Sequence, residues 1–289
     1  MKMKKLVYLS LACAAILNAA DAEVKIDTIS VESTILEDVS GKEIKSADVA
    51  EALAKKVPSI SLVRRSGIAN DIILRGQKKD NINVLIDDAK IYGACPNRMD
   101  PTTSHIATNN IESIEIIEGP YDVENFGTLS GGAKIKTKKP QKGLSGEVNL
   151  GYGAWNYIKY GATVSGGNDL IRVLVTASSE SSDQYIDGNG DTLAEQINNY
   201  ATLNPTAAGT KFKPQYADMP AYEKKSVMSK AFVNITEDQE LRLSYTANRS
   251  EDIVYGNSKM DALYDDSNIY SVEFNVDNLS DAYKNVNIQ

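Results

Sequence analysis

The sequence predicts a small α+β domain followed by antiparallel β-strands, each with one apolar and one polar face. Three observations predict it. A helical stretch at residues 46–57 is followed by four short apolar runs divided by Gly- and Pro-containing turns, the pattern of a mixed α+β core. From residue 144 onward apolar and polar positions alternate over segments of about ten residues, as in strands with a lipid face and a lumen face. The N-terminus reads as an export signal, which sends the chain out of the cytoplasm.

The signal comes first. Met1-Lys2-Met3-Lys4-Lys5 is a basic start, residues 6–17 are a short apolar run, and Ala20-Asp21-Ala22 fits the small-x-small cleavage rule. The mature chain is expected to begin at Glu23. Ile26, Asp27, Thr28, Ile29, Ser30 and Val31 then form a short extended segment able to add to the sheet edge of a partner. In the helical stretch, Asp48 and Glu51 stand three apart like a capping box, Val49, Leu53 and Val57 share one face, and Pro58 stops the helix. Short β-like runs follow at residues 59–63, 72–76, 82–88 and 111–118, the last ending at Gly119-Pro120. Residues 1–22, 23–143 and 144–289 are thus read as signal, α+β domain and barrel-type strands.

In the last part Val148, Leu150 and Tyr152 alternate with polar residues, as do Ile171, Val173, Val175 and Ala177. Leu241, Leu243, Tyr245 and Ala247 repeat the pattern, and so do Tyr270, Val272, Phe274 and Val276. A soluble β-sandwich alternates in the same way, but the export signal favours the membrane. Residues 183–222 read as a long polar insert, and Asp187-Gly188-Asn189-Gly190-Asp191 within it as a polar turn. About seven barrel-like segments are present, and a barrel in lipid must close to satisfy its backbone. The chain is therefore expected to be the front portion of something longer.

Composition narrows the function. The 289 residues carry a formal net charge of −8, an acidic balance that argues against a nucleic-acid partner. No Ser/His/Asp arrangement or phosphate loop supports an enzyme. The two cysteines are Cys13, lost with the signal, and Cys95. An exported chain with one cysteine cannot form an internal disulfide. Cys95 and Met99 offer a thiolate and a thioether, soft donors that favour Cu(I). Pro96 and Pro101 stiffen the loop, and Arg98 supplies a cation beside the thiol.

These segments together resemble a known family. The helix ending at Val57-Pro58, then Ile73-Leu74-Arg75-Gly76, Val84-Leu85-Ile86-Asp87-Asp88, residues 114–120 and residues 126–138 follow one another as in the plug domain of TonB-dependent outer-membrane receptors. The resemblance implies an α+β plug inside an antiparallel transmembrane β-barrel of 22 strands, incomplete here. It implies that the segment Ile26 to Val31 is a TonB box contacting the TonB complex of the inner membrane. It also implies outer-membrane lipid and a metal ion or metal chelate as partners, and no catalytic cofactor. The stretch Cys95-Pro96-Asn97-Arg98-Met99-Asp100-Pro101 is similar to the plug loop of the copper-receptor subgroup, which implies copper as the transported ligand with Cys95 and Met99 as metal ligands. In that subgroup a His-x-Met pair from a barrel strand completes the site. This chain has no His-x-Met, and its single histidine, His105, lies outside that motif. A ferric-siderophore receptor and a truncated, non-transporting remnant are the alternatives.

Overall fold

The computed structural model describes residues 33–37, 48–120, 122, 125, 130–256, 260–278 and 285–288. The expected signal, residues 1–22, and the candidate TonB box from Ile26 to Val31 lie outside the described residues.

The first half builds the α+β core. Strand β1 (Ser33–Glu37) is followed by helix α1 (Val49–Lys56), then β2 (Ile60–Val63), β3 (Asp71–Leu74), β4 (Gln77–Lys78), β5 (Asn83–Ile86), β6 (Ala89–Lys90), β7 (Ile111–Glu118) and β8 (Gly131–Thr137). Asp48 caps α1 by accepting from the backbone N–H of Ala50 at 2.7 Å and of Glu51 at 3.2 Å. Glu51, three residues on, also pairs with Lys55 at 2.8 Å. Five strands form one sheet in the order β1-β7-β8-β5-β6, and β2-β3-β4 form a second. Val49 and Leu53 on α1 pack with Ile72 and Leu74 of β3, Ile114 and Ile116 of β7, and Ile135 of β8. The four apolar runs read from the sequence are thus the core strands.

The hairpin from β5 to β6 turns on Asp87 and Asp88, both with positive φ, as a two-residue turn of the right twist requires. Gly131 opens β8 at φ +113°, where a Cβ would lie 1.9 Å from the Ile117 carbonyl oxygen. Gly131→Ala should therefore lower stability by roughly 3 kcal/mol, the upper end for a residue forced into an unpopulated backbone region. A thermal melt of the full chain in detergent checks this; an unchanged midpoint would contradict the β7–β8 pairing.

The second half is a seven-stranded antiparallel meander in chain order. Its strands are β9 (Ser145–Tyr152), β10 (Ile158–Gly167), β11 (Ile171–Ser182), β12 (Tyr222–Thr236), β13 (Gln239–Ile253), β14 (Ala262–Asp277) and β15 (Asn285–Ile288). The sheet is open, with β9 and β15 at its edges. Its burial is inverted relative to a soluble sheet. Leu150 and Tyr152 are each 81% exposed and Val173 and Val175 are exposed, whereas Thr176, Lys224, Ser226, Lys230 and Asn248 are buried. An apolar outer face with a polar inner face is what a lipid-facing barrel wall needs.

The insert between β11 and β12 is more ordered than its polarity suggests. It holds helix α2 (Leu193–Leu203), with a capping box between Thr192 and Glu195, and a short helix α3 (Pro214–Ala217). The Thr-x-x-Glu signal stands in the sequence, as does the apolar repeat of Ala194, Ile197 and Ala201. Asp187 accepts from the N–H groups of Asn189 at 2.8 Å and Asp191 at 3.0 Å, so the Asp-Gly-Asn-Gly-Asp segment is a turn, as expected.

Candidate metal loop and the wall that covers it

The loop carrying Cys95 is folded around one carboxylate. Asp100 accepts from the backbone N–H of Ala94 and, at 3.0 Å, from that of Cys95. Within it, the Arg98 N–H donates to the Cys95 carbonyl at 2.8 Å, closing a turn. Gly93 permits this fold, because a Cβ there would lie 2.4 Å from the Asp100 carbonyl oxygen. Arg98 is engaged by the core. Its guanidinium reaches back to the buried Asp71 on β3, with Nε at 2.7 Å and a second N–H at 3.3 Å, a two-point grip that ties the loop to the core.

Cys95 and Met99 end in the same cluster. Met99 is buried with Ile68, Ala69, Tyr222, Ile253 and Tyr255, and the half-buried Cys95 packs against that group as a free thiol. Tyr255, from the β13–β14 connection, donates its hydroxyl to the Met99 carbonyl at 2.7 Å. Its own N–H is held by Asp261 at 2.9 Å. Two soft donors in one sheltered cluster suit a soft cation in chemical type. Among the described residues no group of three or more His, Cys, Asp or Glu side chains is arranged to hold a metal. His105 is buried one short turn further on, and burial holds its imidazole below the ordinary pKa against the pull of Asp265 and Asp100. Its Nε2 has no hydrogen-bond partner among the described residues, and its carbonyl accepts from Asn248 at 2.6 Å.

Residues 101–110 that follow are polar yet wholly buried, because the inner face of the meander covers them. Lys224 of β12 donates to the carbonyls of Ser104 at 2.9 Å and Ile106 at 3.3 Å. Asn110 donates to Ser226 at 3.3 Å, Asn149 to Asn109, and Lys159 to Thr108. Lower on β12, Lys230 pairs with Asp87 at 2.9 Å. Asp87 also accepts from the Thr137 N–H at 2.8 Å and its hydroxyl at 2.5 Å. Burial alone would raise its carboxyl, but Lys230 and Thr137 favour the anion more, and the net pKa falls below the ordinary value.

Sequence reasoning placed Cys95 and Met99 and missed the residues that hold them. Asp100 was legible in principle, as an acidic residue closing a Gly/Pro-flanked loop. Tyr255, Lys224 and Lys230 were not, because each meets its partner from more than a hundred residues away.

Residues 25–133 match the family described as the TonB-dependent Receptor Plug Domain. Ferric aerobactin receptors of Klebsiella pneumoniae and Escherichia coli are 27% and 26% identical to this chain over 235 residues. Those alignments take in 78% of this chain but only 28% of each relative, so the chain spans well under two thirds of their length. Among solved structures, the copper transporter OprC superposes with a TM-score of 0.72 at 23% identity, over 88% of this chain and 36% of that one. The siderophore receptor PirA of Acinetobacter baumannii gives 0.60 at 18% identity, over 85% and 37%. These likenesses establish the fold: an α+β plug against part of a barrel wall. Residues 25–133 are thus a plug domain of the TonB-dependent receptor type, and the seven-stranded sheet that follows has the fold of part of such a receptor's barrel wall.

Proposed function

We propose that this chain is the N-terminal portion of a copper-uptake receptor, with Cys95 and Met99 as ligands to Cu(I) as cargo. The observation that carries the reading is the folding of the Cys95-to-Met99 loop around Asp100, which gathers both sulfur residues into one sheltered cluster. A thiolate and a thioether select a soft cation over hard ions. The fold shared with a copper transporter, at a TM-score of 0.72, supports the same choice. The proposal extends to the coupling apparatus: Ile26 to Val31 contact TonB by strand addition, and the exposed apolar face of the meander meets outer-membrane lipid. A competitive Cu(I) titration of the parent and Cys95→Ser chains tests the cargo.

A ferric-siderophore receptor is the second reading, favoured by the two aerobactin receptors among the curated relatives. It makes Cys95 a packing residue, and it predicts equal Cu(I) binding by the parent and Cys95→Ser chains.

We place the domain boundary at residue 143, giving a plug of residues 23–143 and a barrel portion of residues 144–289. The clustered core of α1 and the first eight strands lies wholly on the plug side. The segment 23–143, expressed without the signal, should melt cooperatively in water by circular dichroism. A featureless, non-cooperative trace would move the boundary.

A further inference from the structure

Cys95 and Met99 stand four residues apart, a span of about 13 Å on an extended chain. Their side chains reach one cluster because the backbone between them turns back. The Arg98 N–H closes that turn on the Cys95 carbonyl at 2.8 Å, and it leaves Arg98 at φ +54°. This left-handed region suits glycine or asparagine, and a long side chain enters it only when its surroundings hold it there.

The hold acts on the side chain of the same residue. Arg98 sets Nε at 2.7 Å from one Asp71 oxygen and a second N–H at 3.3 Å from the other. The Asp71 side chain is 3% exposed and that of Arg98 24%, so water and salt screen the pair little. The other carboxylate near Arg98, that of Asp80 at 4.0 Å, is 95% exposed and contributes little. Asp71 is itself fixed. It opens β3 opposite Val63, and Asn70 before it donates its backbone and side-chain N–H groups to Asp48 at 3.0 and 3.1 Å. The Thr103 hydroxyl donates to the Asn70 carbonyl at 2.8 Å. Met99, the residue after Arg98, therefore takes its direction from a strand residue outside the loop.

We propose that Asp71 is a positioning residue for the metal pair: by holding Arg98 in the left-handed turn, it makes the Cys95 thiolate and the Met99 thioether converge on one soft cation. This step rests on the copper reading above and goes beyond it, since it gives a residue that touches no metal control over the two that do. With the turn held before the metal arrives, the second sulfur binds without the ordering cost of a free loop. With the turn released, Cys95 remains as a single soft donor and Met99 adds little.

The test is a competition titration of the full chain in detergent against a chromogenic Cu(I) chelator. Asp71→Asn keeps the shape and removes the charge, and Cu(I) affinity should fall about tenfold, the lower end for groups that orient metal ligands. Arg98→Lys, which keeps a cation beside Asp71 but loses the fork, should lower it less. The loss from Asp71→Asn should vanish in a Met99→Ala chain, because one sulfur leaves no convergence to arrange. A purely structural role would lower affinity equally in both backgrounds. Adding Arg98→Gly to Asp71→Asn should recover part of the loss, since glycine takes positive φ freely. X-ray absorption at the copper edge should show fewer sulfur scatterers for Asp71→Asn than for the parent. The proposal is overturned if Asp71→Asn and Arg98→Lys both bind Cu(I) as the parent does, or if the Asp71→Asn loss persists in full in the Met99→Ala chain. Either result, with Cys95→Ser still impaired, leaves the copper reading standing. Cys95→Ser binding as tightly as the parent removes the reading and the proposal together.

Discussion

Cys95→Ser should remove most of the Cu(I) affinity, on the order of a hundredfold or more. Even groups that only orient metal ligands change affinity 10- to 100-fold, and here a ligand itself is replaced by a hard, neutral hydroxyl. The free thiol is half-buried in the cluster that holds Met99, so serine fits the space and the change is chemical rather than steric. Met99→Ala should weaken Cu(I) more than Cu(II), because thioether sulfur is a soft donor. His105→Ala should have little effect, since His105 belongs to the segment clasped by Lys224 and Asn248 rather than to the sulfur cluster. Affinity should also fall as pH is lowered, because thiolate binding releases a proton. The measurement is a competition titration against a chromogenic Cu(I) chelator, with melting curves of each variant alongside.

Asp87→Ala should be the most damaging single change at the junction of plug and wall, costing about 2–3 kcal/mol. It strips the anion from the buried Lys230 and removes the acceptor of the Thr137 amide and hydroxyl. Hydrogen bonds to charged groups contribute about 1.5–3 kcal/mol each, and a buried charge left alone adds its desolvation. Because the folded carboxyl lies below its ordinary pKa, its stabilisation is complete above the unfolded value of about 4 and is lost as pH falls through the lower folded value. The stability gap between parent and Asp87→Ala should therefore be flat above pH of about 5 and shrink in strong acid. The double change Asp87→Ala with Lys230→Met should be milder than the sum of the single changes, since the orphaned charge is gone. Thermal melts in detergent across pH measure all three, and a gap that widens in acid would contradict the pairing.

Most of the fold was legible because its patterns are local. Val49, Leu53 and Val57 repeat at helical spacing, Ile111, Ile114, Ile116 and Ile117 mark a β-like segment, and Val148, Leu150 and Tyr152 alternate on one face; each became the element its pattern implies. Helix α2 was passed over inside a stretch read as a polar insert, although Thr192 and Glu195 cap it and Ala194, Ile197 and Ala201 repeat at helical spacing. Residues 101–110 gave no hint of burial. Their threonines and asparagines carry no apolar pattern, and side chains such as Lys224 and Ser226, from a wall distant in sequence, supply their hydrogen bonds. The same non-locality hid half of the candidate site. Cys95 and Met99 are named by their own motif, whereas Tyr255 and Asp71, which fix the loop from either side, meet it only through the tertiary fold.

The central claim is that the sulfur atoms of Cys95 and Met99 hold the cargo, and X-ray absorption at the copper edge of the Cu(I)-loaded chain tests it most directly. Sulfur scatterers are expected in the first coordination layer, reduced in number by either Met99→Ala or Cys95→Ser. A first layer of nitrogen and oxygen alone, unchanged in either variant, would contradict it.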